Sequence, residues 1–403
     1  MDRLFIGFLT VFSFININFV FGQAKGVSLE RAIELALLNN VEYNAYKLKV
    51  EQSKALIPTA LTIDKATISY SYDSNNLAEN NHPLNVYGIE QSFSFPTLYS
   101  AQFKVTRSES ELAKRELEII EKQLIKNVAH SYYEIQYNMN KLIRYRLLDT
   151  IYDKFIQNVE DRFNRGEAKS LDIFNARAKH EQIEILLNDI TYATRLAYKR
   201  LRLLVNADTL IVVPLRDLKE LAILSEDIDS NPGLRYVKQE VNLQSDMLRV
   251  ERNKLLPDIT LGYYNGSNRF VGAKNYPSYE VGITIPIFFI EQKARINGAK
   301  IGIDASKKYE EHYKLSLLLK IDELKSELQK YRDHLEYYYS TGKQMSREIE
   351  KEARDGYEKG AIDYYSFVES IQNATLIELE YLDWLFQYNS TVLEINYLIL
   401  ESK

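Results

Sequence analysis

Histidines and carboxylates are the side chains of this sequence that could bind a metal or move a proton, and their spacing supports neither role. His82, His130, His180, His312 and His334 share no close spacing, and "HSYYE" from His130 offers no second imidazole in register. A zinc site needs three or four ligands that converge, so neither a metal nor a cofactor is expected. There is no cysteine, which excludes disulfides, a thiolate site and a lipidated N-terminal Cys. A hydrolase could use a pair of the many Glu residues, but these fall on the outward faces of helical stretches, where charges are solvated. Catalytic triads, phosphate-binding Gly-rich loops and P-loops are absent, so the chain is not expected to be an enzyme.

What remains are two short motifs that interrupt long helical patterns with a Gly: "RFNRGEAKSLDIFNARA", residues 162–178, and "YEKGAIDYYSFVESIQ", residues 357–372. Their meaning depends on the elements around them. The 403 residues carry 51 Lys and Arg against 56 Asp and Glu, a net charge of -5, with no basic cluster to meet a phosphate backbone. Nucleic acid is therefore not an expected partner. Residues 1–22 have a charged start, an apolar run from Leu4 to Phe21 and small residues at Gly22 and Ala24, the pattern of a cleaved export signal. An uncleaved membrane anchor is the alternative. No later segment has about 18 consecutive apolar residues, so any further crossing of a membrane would need strands.

The two halves align with each other. Asn40 falls on Asn231, Ile68 on Ile259 and Tyr72 on Tyr263 at a shift of 191; Pro96 falls on Pro286 at 190, and Gly166 on Gly360 at 194. Such order and spacing indicate a duplication. The first repeat spans 23–205 and the second 230–403, joined by a segment over 206–229. Each reads helix, strand, strand, long helix, break, helix.

Near residues 64–76 and 84–96, and again near 257–267 and 277–287, the hydrophobic period is 2. Tyr70, Tyr72, Tyr87 and Phe93, with Tyr263, Tyr279 and Ile283 in the second repeat, alternate with Ser, Gly, Thr and Glu. A soluble sheet would alternate in the same way, but aromatics opposite small polar residues favour a barrel whose aromatic face meets lipid. Strands of about 10 residues are long enough to cross a bilayer at a tilt.

Elsewhere the period is helical. Leu117, Ile120, Leu124, Val128, Tyr132, Ile135, Met139, Leu142, Tyr145, Leu148, Tyr152, Phe155 and Val159 recur at three and four, a coiled-coil seam. The helix predicted over 98–163 is near 100 Å long, and its return over 171–205 about half that. A first helix from Ser28 toward Pro58 fills the other half of the column. The second repeat predicts a long member over 290–357, a return over 364–400 and a stacked piece near 231–256. Both Gly breaks then lie about 100 Å from the strands. Four strands leave open edges that lipid does not tolerate, so the chain must oligomerise: two copies give 8 strands, three give 12 and a lumen.

With "SLERAIELALLNN", "NP" at Asn231 and Pro232, "FSFP", "IPIF" and the paired break motifs in order, the sequence resembles the TolC-like outer-membrane efflux proteins over nearly all of its length after the signal. The resemblance implies a mainly α protein with membrane β: duplicated helical hairpins forming a periplasmic α-barrel, and four strands per chain completing a 12-stranded barrel in a homotrimer. It implies the outer membrane of a Gram-negative bacterium, an exit duct for efflux or secretion, and as partners a periplasmic adaptor and an inner-membrane transporter. Arg165, Gly166, Lys169, Lys359, Gly360 and Ala361 become adaptor-docking candidates, and Asp172, Tyr357, Asp363, Ser366 and Glu369 the aperture. Ser366 stands where an acid is usual, with Asp363 three residues earlier, and Ile362 stands where a basic partner of Tyr357 is usual. A ring of carboxylates would attract cations. The rival is an exported, non-conducting coiled-coil scaffold or adhesin.

Overall fold

The computed structural model describes residues 26–206, 211–224 and 227–399. The expected export signal lies outside the described residues. In each half, helices come first, then a hairpin, then a long helical excursion and its return. The first half comprises α1 (Leu29–Asn39), α2 (Val41–Ala55), β1 (Thr67–Leu77), β2 (Pro83–Phe93), α3 (Pro96–Asn164) and α4 (Ser170–Val205). The second comprises α5 (Pro232–Asn253), β3 (Asp258–Ser267), β4 (Tyr276–Thr284), α6 (Phe289–Tyr337), α7 (Lys343–Glu358) and α8 (Tyr364–Ile399). Among the described residues no helix is long and apolar enough to cross a membrane.

Helix α3 has 69 residues and is therefore about 104 Å long. Its return, α4, has 36 residues, and α1 and α2 complete the column. Asn40 makes the joint between α1 and α2: it leaves the helical region, its Oδ1 accepts the Tyr43 N–H at 2.9 Å, and its Nδ2 donates to the Leu204 carbonyl at 2.9 Å. Asn231 repeats this device, capping α5 through the Leu234 N–H and donating to the Leu398 carbonyl.

The coiled-coil seam of α3 is buried at Leu124, Val128, Tyr132, Ile135, Leu148, Tyr152, Phe155 and Val159. Val128 through Ile135 join Ala197, Leu201 and Val205 of α4 and Ala32 and Ala36 of α1 in one core. The second half has its own core of Leu317, Ile321, Leu324, Leu328, Leu382, Leu385 and Val392. The halves share a third core toward the Gly breaks, where Leu148, Tyr152 and Phe155 meet Ile183, Ala353, Phe367 and Ile371.

The shift between repeats grows from 190 at Pro96 and Pro286 to 194 at Gly166 and Gly360, so the second long member carries four more residues. Four residues overshoot one helical turn and would rotate the seam off its partner. The second long member is accordingly not one α-helix: a π turn at Tyr338–Gly342 separates α6 from α7. The wider turn absorbs surplus rotation, and Tyr338 stacks on Tyr381 of α8 at 3.8 Å between ring centres.

Between the halves, residues 211–224 lie against the helical cores and pair with no strand among the described residues. The Val27 N–H donates to the Val212 carbonyl at 2.8 Å, and side chains satisfy several of the other backbone groups. Asn140 donates to the Arg216 carbonyl. Asn389 accepts from the Leu221 N–H and donates to the Lys219 carbonyl, both at 2.9 Å, and Asn396, two turns on, does the same for Leu224 and Ala222.

Candidate functional site

The four strands form one antiparallel sheet in the order β1-β2-β3-β4. Its register sorts the side chains by face. Tyr70 opposes Tyr87, Ile68 opposes Ile89, Ile89 opposes Tyr263, Phe93 opposes Ile259, Tyr263 opposes Tyr279 and Ile259 opposes Ile283. Tyr70, Tyr72, Tyr87, Phe93, Tyr263, Tyr279 and Ile283 therefore lie on a single face. Most of it is bare in the protomer: Ile68 is 82% exposed, Tyr279 79% and Ile283 70%.

The other face is polar and carries a row that sequence reading missed. Register places Thr67, Glu90, Gly262 and Glu280 side by side across the sheet. Tyr264, one row away, lies over this face and donates from its hydroxyl to Glu90 at 3.1 Å. It fits because Gly88 and Gly262 lack side chains; a Cβ at Gly88 would sit 2.4 Å from its ring. Period-2 alternation signals the face of each Glu, but their common row depends on register, which is not in the sequence.

At the far end, both breaks are Schellman turns. In the first, Gly166 N–H donates to the Phe163 carbonyl at 2.9 Å and Glu167 N–H to the Arg162 carbonyl at 2.8 Å. In the second, Gly360 donates to Tyr357 at 3.0 Å and Ala361 to Gly356 at 2.8 Å. The turn residue must be left-handed, and Gly166 and Gly360 have φ of +78° and +69°. Arg165, Gly166, Lys169, Lys359, Gly360 and Ala361 are all exposed, and Arg165 pairs with Glu167 at 3.2 Å.

The acids beyond the glycines are used by the fold. Asp172 accepts the Lys169 N–H at 2.9 Å, and Asp363 accepts the Ser366 N–H at 2.8 Å. These are the two halves of a capping box, one in each repeat. Lysine has no acceptor to cap α4 from position 169, so Asp172 at the third helical position caps it; Asp363 caps α8 directly, and Ser366 need not be acidic. Hydrogen bonds from the Ser366 backbone and side chain, with attraction to Arg162 of the neighbouring tip, hold the Asp363 carboxyl below the usual carboxylate range.

Tyr357 packs within its own protomer, its ring 5.1 Å from those of Tyr364 and Phe367. Ile362 covers Gly356, with contacts from 3.4 Å that a Cβ would make, and joins the shared core. Its apolar side chain thus serves packing where a base was sought. Glu369 is exposed and accepts no hydrogen bond among the described residues. Burial, with Tyr365 and Glu369 adding negative charge, pushes the Tyr152 hydroxyl up to about 12. The structure thus places Asp172, Tyr357, Asp363, Ser366 and Glu369 within the tip segments, with only Glu369 free of a structural task.

A sheet with one apolar and one polar face, standing on helices about 100 Å long that end in paired turns, is a distinctive architecture. Solved structures share it. The fold is that of the TolC-like outer-membrane channels. CusC aligns with a TM-score of 0.77 and 16% identity over 94% of this chain and 93% of that one. The Campylobacter jejuni outer-membrane channel CmeC aligns at 0.74 and 16% over 93% and 87%. VceC, an outer-membrane protein of Vibrio cholerae, aligns at 0.71 and 14% over 93% and 97%. No family model and no curated protein matches the sequence. The TolC-like fold is thus carried by a sequence that shares only 14–16% identity with these structures.

Proposed function

We propose that the protein is the outer-membrane exit duct of a tripartite efflux or secretion system, catalysing no reaction and passing cargo from a periplasmic adaptor and inner-membrane transporter to the exterior. The observation that carries this reading is the sheet. Its outer strands, β1 and β4, have unpaired edges, and one face is aromatic and bare. For an isolated chain the open edges are tolerable neither in water nor in lipid, and the bare aromatic face is not tolerable in water. Because neighbouring strands are antiparallel throughout, β4 of one copy runs antiparallel to β1 of the next, and copies close a barrel without a mismatched joint. Three copies give 12 strands, enough for an open lumen lined by the Ser, Gly, Thr and Glu face. The helices below continue the wall, and the two Schellman tips offer the adaptor a base-rich, side-chain-poor surface at Arg165, Gly166, Lys169, Lys359, Gly360 and Ala361. Asp172, Tyr357, Asp363, Ser366 and Glu369 line the constriction beside it.

The test is the mass of the detergent-solubilised protein together with current across planar bilayers. Three copies and steady ion conduction are expected. A stable monomer that dissolves without detergent and passes no current would overturn the duct in favour of a coiled-coil scaffold.

A further inference from the structure

Asp149 on α3 and His180 and Glu184 on α4 bring one imidazole nitrogen and two carboxylate oxygens within 4.8 Å of one another. His180 and Glu184 are four residues apart and share one helix face. Asp149 comes from the opposing helix, so no sequence spacing announces the set. His180 Nε2 stands 3.1 Å from Asp149 Oδ1. Tetrahedral coordination with bonds near 2.0–2.1 Å puts ligand atoms about 3.3 Å apart, so one edge of such a polyhedron is already formed. Only the exposed Glu184 side chain must swing to complete a three-ligand face and leave a position for water.

Two further features favour a cation over a plain hydrogen bond. The backbone around the donors is anchored by the shared core: Leu148 precedes Asp149, and Ile183 lies between His180 and Glu184. The donors are therefore positioned by packing. The charge is also unbalanced, since among the described residues neither Asp149 nor Glu184 pairs with Lys or Arg, while nearby Arg177 is engaged by Glu160. An imidazole ligates in its neutral form, so the bound set would carry the two negative charges of its carboxylates, which one divalent ion cancels.

We propose that Asp149, His180 and Glu184 bind a divalent transition-metal cation that clips α3 to α4 above the first tip. The imidazole selects against hard cations such as Mg²⁺, which prefer an all-oxygen shell. Counting from Gly166, the clip lies about 20–25 Å along the hairpin, where it would fix the separation of the two helices that carry the tip. This inference does not depend on the duct reading.

The experiment uses full-length, tag-free protein in detergent, stripped of metal with a chelator and titrated with Zn²⁺ by calorimetry and with Co²⁺ by visible absorption. One saturable site per chain is expected, with visible ligand-field bands for Co²⁺ and no displacement by Mg²⁺. His180→Ala should weaken Zn²⁺ binding about 100-fold and abolish the bands, and the near-isosteric Glu184→Gln should weaken it about 10-fold without disturbing the helix. Saturating Zn²⁺ should also slow amide exchange in residues 150–179 of the wild type and not of His180→Ala. A wild type that binds no Zn²⁺ below millimolar concentration, or His180→Ala and Glu184→Gln proteins that bind as the wild type does, would overturn the site.

Discussion

Replacing Gly166 or Gly360 by Ala isolates the cost of a backbone conformation. Both glycines are left-handed, and a Cβ built on either meets no atom within 4 Å. No steric clash therefore contributes, and the whole penalty is the left-handed conformation of an L-residue, about 1–2 kcal/mol. Ala also restricts the unfolded chain, which offsets about 0.4–1 kcal/mol. The net destabilisation is about 1 kcal/mol per tip. Spread over 403 residues this moves a global melting midpoint by only about 1 °C, so thermal denaturation is the wrong assay. Hydrogen exchange at the tips is the right one, because the Glu167 and Ala361 amides close the two Schellman turns at 2.8 Å. A loss of 1 kcal/mol in local stability accelerates their exchange about five-fold. Asn visits the left-handed region more readily, so Gly166→Asn and Gly360→Asn should accelerate it by about two-fold or less. Ala variants that exchange at the wild-type rate, or Asn variants that exchange faster than Ala, would refute the assignment of these turns to a backbone requirement.

Glu369→Ala combined with Asp172→Ala should raise the conductance of the purified oligomer in planar bilayers; unchanged conductance and cation selectivity would remove both from the aperture. Glu90→Gln combined with Glu280→Gln should lower cation preference in reversal-potential measurements at 0.1 M salt and much less at 1 M, where screening shortens to about 3 Å; an equal effect at both salts would contradict a shared row of lumenal charges. Asn389→Ala removes the partner of the half-buried Leu221 N–H and of the Lys219 carbonyl, a net loss of about 0.5–1.5 kcal/mol per hydrogen bond, and limited proteolysis within 211–224 should accelerate while the helices stay resistant. The depressed Asp363 pKa means that the cap stabilises α8 fully above the unfolded carboxyl value near 3.9 and is lost as pH falls through the lower folded value. Protection of the Ser366 amide should fall in that acid window in the wild type, and Asp363→Asn, which keeps an acceptor without titrating, should show no such fall.

The sequence made the fold class legible because apolar periodicity is local. The seam from Leu117 to Val159 reads as one helix face without knowing its partner, and the alternation of Tyr70 and Tyr72 with Ser69 and Ser71 reads as a strand without knowing its neighbours. What stayed hidden depends on relations between distant segments. The alignment of Glu90 with Glu280 is set by strand register through Gly262, and the meeting of Asp149 with His180 by the rotation of two helices about their seam. The π turn was legible only in part: the growth of the repeat shift to 194 states that four residues are extra, but not that their surplus rotation is taken up at Tyr338–Gly342.

The same distinction bears on the tip acids. Read as a pattern, Asp172, Asp363 and Glu369 are equivalent carboxylates near two turns, and three copies would make rings of each. Read by hydrogen bonding, they differ. Asp172 and Asp363 each accept a backbone N–H that starts a helix, and removing either exposes an orphan donor at a helix start, a cost of about 1 kcal/mol. They must therefore stay acidic or amide-like whether or not a cation passes. Glu369 has no such duty, so a charge there is explained by folding least of all. If the constriction is governed by charge, the free carboxylate of the second repeat governs it more than the capping carboxylate of the first. Glu369→Gln alone should then change cation selectivity more than Asp172→Asn, which preserves the cap while removing the charge. The reverse order would mean that a capping acid can serve the passage as well as the fold.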